Sequence, residues 1–406
     1  MRGGDRVAMP LAVYYLNQAM TTVSIQDELQ AIKNGALYRR LRRVENDQGP
    51  TLILDGHEVI NFSSNNYLGI ANHPALAQAA KQAIDRYGCG SGASRLISGN
   101  MALHEELENR LAKFKGTEAA LVFNSGFQAN TGILSALTGE TDAILSDALN
   151  HASIIDGCRL SRAKTFVYAH CDLNGLETGL KQAAGARRKL IVTETIFSMD
   201  GDEAPLTGIV ELAQKYDAWV MVDEAHATGI FGARGAGVVA KLGLGDRVLV
   251  QMGTLGKALG GFGAYVAGTR ALRELLINRC RSFIFTTALP PAIMATATAA
   301  IDLVEREPER REALWRNCRQ LADGLRKIGF LLGENQSPIL PLVIGDAENC
   351  MRLSEQLLER GVFAQGIRPP TVPPGTSRLR ITLMATHTRE HIEKALAAFE
   401  DLKKQA

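Results

Sequence analysis

Between Ala119 and Gly268 seven short, β-rich apolar runs recur: "AALVF" (119–123), "AILSD" (143–147), "TFVYA" (165–169), "KLIVTETIF" (189–197), "AWVMVDEA" (218–225), "RVLVQMGTL" (247–255) and "AYVAG" (264–268). Most are separated by helical stretches, such as "IVELAQKYD" between the fourth and fifth. That alternation confines the chain to an α/β fold: a mainly parallel seven-stranded sheet flanked by helices on both faces. In such sheets ligands gather beyond the carboxyl ends of the strands, so the polar residues that follow each run are the first candidates for function.

The flanks add smaller pieces. An amphipathic helical pattern runs from about Gln26 to Arg43, and its "YRRLRRVEND" cluster reads as a solvated helix face. Asp55-Gly56 between two β-rich runs predicts a hairpin. "HPALAQAAKQAIDRYG" reads as a helix closed by Gly88. The Pro290-Pro291 pair marks a boundary, after which a long helical region gives way, from about Ser337, to strands and helices of a smaller α/β C-terminal domain. The expected division is 1–62 for an extension with helix and hairpin, 63–290 for the large domain and 291–406 for the small one. The residues before about Thr22 read as a disordered or helical extension, with Met20 a second place to start.

Bulk properties exclude several classes of function. A net charge of +2 gives no reason to expect nucleic acid or an anionic membrane as partner. No run reaches the roughly 18 to 20 apolar residues of a membrane span. No two of the six cysteines fall within four positions of each other, which leaves no zinc knuckle or C-x-x-C motif and fits reduced thiols in a cytoplasm.

Two glycine clusters invite a nucleotide reading, and neither sustains it. In "TLGKALGG", Gln251 stands where a phosphate loop needs its first glycine, and Ala258 replaces the hydroxyl residue after Lys257. "GCGSGA" (Gly88–Ala93) matches the dinucleotide fingerprint in letters, but a helix precedes it where a strand is required.

Lys257 gains meaning from its neighbours along the sheet. "WVMVDEAHATG" ends a buried strand in Asp223, with His226 three positions on; a carboxylate there is costly unless something cationic meets it. A lysine, a carboxylate and a histidine at one sheet edge suit pyridoxal phosphate (PLP). The lysine bonds the aldehyde, and the carboxylate keeps the pyridine nitrogen protonated so that the ring draws electrons. The cofactor's phosphate wants backbone donors at a helix N-terminus, which "NSGFQANTGILSAL" supplies around Gly126. Its ring wants an aromatic or imidazole face, and His151 follows another strand in "SDALNHASII".

"DEAHATGIFG", "GTLGKALGG" and "LNHASIIDGCRLS" resemble the α-oxoamine synthase family of fold-type I PLP-dependent transferases, from about Gln26 to the last helix. The resemblance implies that Lys257 anchors the cofactor, Asp223 faces its nitrogen, His226 meets its phenolic oxygen and His151 stacks on its ring. It implies that Gly126, Phe127 and Thr254 hold the phosphate, that Ser198 contacts the cofactor, and that Glu194 is a nearby acid. For substrate it points to Arg368 and Asn65 on the amino-acid carboxylate, with His151, Thr371 and Arg39 (Arg40 adjoins it) in contact. Thr286 or Thr287 would reach a neighbouring subunit's phosphate, which makes the expected assembly a homodimer. Within the family, "RSFIFTTALPP" and "IRPPTVPPGTSRLRIT" resemble the branch that condenses L-alanine with a pimeloyl thioester, on acyl carrier protein or coenzyme A, in biotin biosynthesis. Glycine C-acetyltransferase, 5-aminolevulinate synthase and serine palmitoyltransferase share the same cofactor residues and stay as alternatives. A catalytically silent scaffold subunit does not fit a chain that keeps Lys257, Asp223 and His226.

Overall fold

The computed structural model describes residues 24–35, 37–334 and 336–405. The stretch before about Thr22, expected to be disordered or helical, therefore lies outside the described residues. The chain forms two compact units, Met1–Leu41 and Arg42–Ala406.

In the first unit, helix α1 (Ile25–Asn34) starts at a capping box in which Ser24 and Asp27 cap each other's backbone amides. The helix expected as far as Arg43 stops here: Gly35 caps it, and the residues from 37 to 43 have no regular secondary structure. The basic run is thus not a helix face. In the second unit, Arg42 bonds Glu355 at 2.5 Å and Arg43 bonds Glu45 at 2.6 Å.

The second unit opens with the predicted hairpin, β1 (Thr51–Leu54) and β2 (His57–Asn61), whose registers pair Leu54 with His57. Its two-residue turn needs positive φ at both positions; Asp55 and Gly56 supply φ of 50° and 84°. Helices α2 (Pro74–Tyr87) and α3 (Ala102–Lys115) follow. Pro74 sits in the first turn of α2, and Gly88 ends it at φ 77°.

All seven apolar runs become strands of one sheet: β3 (Ala119–Phe123), β4 (Ala143–Asp147), β5 (Lys164–Tyr168), β6 (Lys189–Glu194), β7 (Trp219–Asp223), β8 (Val250–Thr254) and β9 (Ala264–Gly268). Their order is β3-β9-β8-β7-β6-β4-β5, with β9 alone antiparallel to its neighbours. Most of the strands read as apolar runs because both faces are covered; β5, at the sheet edge, is largely exposed. Leu121, Ile144, Leu190, Val192, Met221, Val250 and Met252 pack into one core, with residues of helices α4 (Gly126–Leu137) and α5 (Ala152–Ser161). The alternate residues Ala120, Val122, Leu145, Ile191, Val220 and Val222 pack into the other.

The C-terminal part carries β10 (Ile339–Gly345), β11 (Val362–Phe363), β12 (Gln365–Ile367) and β13 (Ser377–Thr382). Strands β10, β13 and β12 form a small antiparallel sheet, while β11 pairs in parallel with β2 and so joins the two ends of the unit. All six cysteines are free. Among the described residues no helix is long and apolar enough to cross a membrane.

Candidate active site

The carboxyl ends of β4, β6, β7 and β8 carry Asp147, Glu194, Asp223 and Thr254. Each is the last residue of its strand, which is where the sheet delivers side chains to a shared edge.

Asp223 is buried, and both its oxygens are engaged: Oδ1 accepts from the Ala225 amide and Oδ2 from Asn130 Nδ2, each at 2.8 Å. His226, also buried, shares a 2.7 Å hydrogen bond between its Nδ1 and Tyr67 Oη. Burial holds His226 well below the ordinary histidine range, and the positive charges of Lys257, Arg380 and His151 push the same way. It is a neutral imidazole at neutral pH.

Lys257 is half-buried in the glycine-rich turn after β8, with Nζ 3.4 Å from Thr254 Oγ1. Burial lowers its pKa below the ordinary lysine value despite the opposing pull of Asp223 and Glu194; Arg380 lowers it further. Glu194 lies directly across from Asp223 in the β6–β7 register. Burial, and then the Asp223 charge, push its carboxyl well above the usual range.

Helix α4 begins at this edge. Ser125 caps it, accepting from the Gln128 amide, which leaves the first-turn amides of Gly126 and Phe127 beside Thr254. A Cβ on Gly126 would meet Thr254 Cγ2 at 2.9 Å, so only glycine lets the helix start approach β8 this closely. His151 caps α5 through Nδ1, with Ser153 Oγ at 2.7 Å. Asn124, just before α4, donates to Thr286 Oγ1 at 3.3 Å and to the Thr287 carbonyl at 2.9 Å.

Ser198 belongs to the loop after β6, and two arginines of β13 hold that loop. Arg380 Nε donates to the Ser198 carbonyl at 2.6 Å, and Arg378 pairs with Asp200. Arg380 also reaches Asn65 Oδ1 at 3.1 Å and Tyr67 Oη at 3.4 Å. The resemblance assigns Asn65 and Arg368 together to the amino-acid carboxylate; the arginine bonded to Asn65 in the structure is Arg380, since Arg378 and Arg380 lie on one face of β13, turned toward this loop. Arg368, just past the end of β12, donates to Met351 Sδ at 2.9 Å. Thr371 is exposed, its amide bonded to the Arg368 carbonyl at 3.2 Å. Arg39 belongs to the first unit, where it donates to the Leu37 carbonyl at 3.4 Å. Arg380, Tyr67, Asn130 and Ser153 are thus residues of the site that the sequence alone did not single out. The only signal for Arg380 is an arginine at every second position of an otherwise apolar strand, in "SRLRITL".

A further group braces the loop. His170 is bonded through Nδ1 to Asp147 at 3.0 Å and through Nε2 to Asp202 at 2.7 Å. Burial alone would lower this imidazole, but the hydrogen bonds to Asp147 and Asp202, with Cys171 beside them, push it up to about 12. Asp147 also accepts from the amides of Leu149 and Cys171, each at 2.8 Å. Its carboxylate is therefore fully used in holding two chain segments, which makes the cluster a brace and not a vacant metal cage.

An amine of lowered pKa, a buried carboxylate, a neutral imidazole, a second histidine and free first-turn amides form a donor set that fits PLP. The sequence profile of the aminotransferase class I and II family matches residues 57–399. The chain belongs to that family. Within it, the chain is an α-oxoamine synthase. It is 53% identical over 386 residues to the 8-amino-7-oxononanoate synthase of Geobacter sulfurreducens, covering 95% of this chain and 99% of that protein. A solved serine palmitoyltransferase with its PLP internal aldimine superposes with a TM-score of 0.89 at 35% identity, covering 93% of this chain and 96% of the other. The solved 8-amino-7-oxononanoate synthase of Francisella tularensis gives 0.73 at 31% identity, covering 86% of this chain and 98% of that one. Fold likeness favours the palmitoyltransferase and sequence identity the oxononanoate synthase. Since one fold hosts several substrates in this family, identity is the better guide to chemistry.

Proposed function

We propose that this site performs the 8-amino-7-oxononanoate synthase reaction, the PLP-dependent decarboxylative condensation of L-alanine with a pimeloyl thioester carried on acyl carrier protein or coenzyme A. The observation that carries the reading is one cluster of mutually interacting groups, Lys257, Asp223, His226 and Arg380, in a chain 53% identical to a synthase of that name.

Bound here, PLP supplies the aldehyde that takes up the amine of alanine and the ring that accepts the electron pair released at the α-carbon. The protein does the rest. Asp223, fixed by Asn130 and the Ala225 amide, would meet the pyridine nitrogen and keep it protonated. His226, neutral and braced by Tyr67, offers a hydrogen bond to the phenolic oxygen. The amides of Gly126 and Phe127 and the hydroxyl of Thr254 receive the phosphate at the start of α4. His151 covers the ring.

Arg380 and Asn65 grip the alanine carboxylate; a guanidinium fork is suited to that task. With its pKa lowered by burial, Lys257 would be the base, its Nζ taking the α-proton. The α-carbon then bonds to the thioester carbonyl, the thiol leaves, and the alanine carboxylate departs as carbon dioxide. A proton returns to the same carbon from Lys257. By resemblance Arg368 is also assigned to the alanine carboxylate and Arg39 and Thr371 to substrate contact, and a homodimer completes the site through Thr286 or Thr287.

The test is a product assay that pairs alanine, glycine and serine with pimeloyl, acetyl, succinyl and palmitoyl thioesters. Alanine with pimeloyl thioester is expected to turn over fastest. Preference for glycine with acetyl thioester, or serine with palmitoyl thioester, would transfer the chain to another branch of the family.

A further inference from the structure

The hydrogen bonds behind His151 run in one direction. Asp223 Oδ2 accepts from Asn130 Nδ2 at 2.8 Å, and the same Nδ2 donates its other proton to Ser153 Oγ at 2.9 Å. Ser153 Oγ lies 2.7 Å from His151 Nδ1, and the Ser153 backbone amide donates to that nitrogen at 3.2 Å. Asn130 and Ser153 are both buried.

An ionised carboxylate only accepts, so Asp223 decides which way the Asn130 amide faces; the reversed amide would set its carbonyl oxygen against the carboxylate. Asn130 therefore donates to Ser153, and the single hydroxyl proton of Ser153 is left for His151. A backbone N–H only donates. The Ser153 amide thus requires Nδ1 to be an acceptor, and the hydroxyl proton is available to the same nitrogen. We propose that Asn130 and Ser153 are positioning residues which, directed by Asp223, fix His151 as the neutral tautomer with its proton on Nε2.

The arrangement is more than a helix cap. His73 caps α2 in the same way, accepting from the Ala75 amide at 3.2 Å, and caps nothing beyond that helix. At His151 the cap is joined through two buried polar side chains to the carboxylate at the centre of the site. Asn130 leaves its own Oδ1 buried without a partner among the described residues, a cost that a packing role would avoid with leucine.

The groups that act on the ring are Asp223 of β7, Lys257 after β8 and His226 after β7, with Glu194 of β6 near the His151 amide. Burial lowers the imidazole below its ordinary range; Asp223 opposes this and Lys257 reinforces it, and the ring stays neutral. His151 is then a donor through Nε2–H throughout the neutral range, not a proton acceptor. That use in catalysis rests on the function proposed above, whereas the relay is a property of the folded chain.

Holoenzyme carrying ¹⁵N-labelled histidine, with His151→Gln to assign the resonances, reports the tautomer by long-range ¹H–¹⁵N correlation. His151 is expected to show an unprotonated Nδ1 and a protonated Nε2 from about pH 6 to 8. Ser153→Ala is expected to give a mixture of tautomers, to raise the titration midpoint of the ring, and to lower kcat by about tenfold, the equivalent of one lost hydrogen bond. An imidazolium or an Nδ1–H tautomer in the unmodified holoenzyme overturns the proposal, with no variant needed. So does Ser153→Ala with an unmoved tautomer ratio or unchanged kcat. The spectrum needs no substrate, and kcat is read with whichever amino acid and thioester turn over fastest, so neither depends on the assigned acyl donor.

Discussion

A lysine amine is ordinarily protonated and inert at neutral pH; Lys257 differs because of what surrounds it. Burial makes its charged form costly, and Arg380 adds to that cost. Competitive labelling of the cofactor-free protein with an amine reagent, read by mass spectrometry, should give Lys257 a midpoint below the ordinary lysine value. The lower pKa enlarges the neutral fraction at pH 7, so labelling there should favour Lys257. Lys257→Ala should still bind cofactor loosely yet lose turnover by several orders of magnitude; near-normal turnover would refute its role. Arg380→Ala should weaken alanine binding by roughly 1.5–3 kcal/mol, about 10- to 100-fold, as expected for a lost charged hydrogen bond. Arg368→Ala is the parallel measurement, and a larger loss there than at Arg380 would make Arg368 the main grip, as the resemblance has it. The difference in legibility between these residues is physical. Lys257, Asp223, His226 and His151 each follow a strand that its own composition announces. The partners of Arg380 lie 182, 313 and 315 positions away, so only the folded chain brings them together.

At the level of elements, the strands were legible because most are covered on both faces and keep an apolar run; β5, at the sheet edge, is largely exposed yet keeps its β-rich composition. The helix expected to Arg43 was not, because its amphipathic pattern continues past a stop at Gly35. Side-chain pairs that lock elements together were also invisible in sequence. Lys115, at the end of α3, is fully buried against Glu224, the residue after Asp223, and Gly237 leaves room for that carboxylate. Lys115→Met would leave Glu224 as an unpaired buried charge, and a loss of about 3–5 kcal/mol in a denaturant titration is expected. The His170 brace gives a pH signature. Its folded-state pKa is raised to about 12, so its contribution to stability is complete below the unfolded value near 6.5 and declines as pH rises from there toward 12. The stability difference between the native protein and His170→Gln should therefore be largest in mild acid and shrink through the alkaline range. A difference that grows with pH would show that the imidazole is neutral in the fold.

Across the whole molecule, side chains from Asn65 to Arg380 converge on one sheet edge, and the proposed reaction depends on that convergence. Ile97, Phe262 and Phe285 are 80%, 54% and 70% exposed, an apolar set in keeping with the proposed homodimer. Light scattering of the purified protein should give twice the chain mass; a monomer with full activity would contradict the shared site. The family and its cofactor chemistry were readable from a few motifs, since covalent and charged groups tolerate little variation in type. The Arg380–Asn65 contact and the His151 relay were not, since they consist of distances. Borohydride reduction of the holoenzyme, followed by peptide mapping, tests the account most directly. The phosphopyridoxyl group is predicted on the peptide that contains Lys257; its appearance on any other lysine, or on none, would contradict the site described.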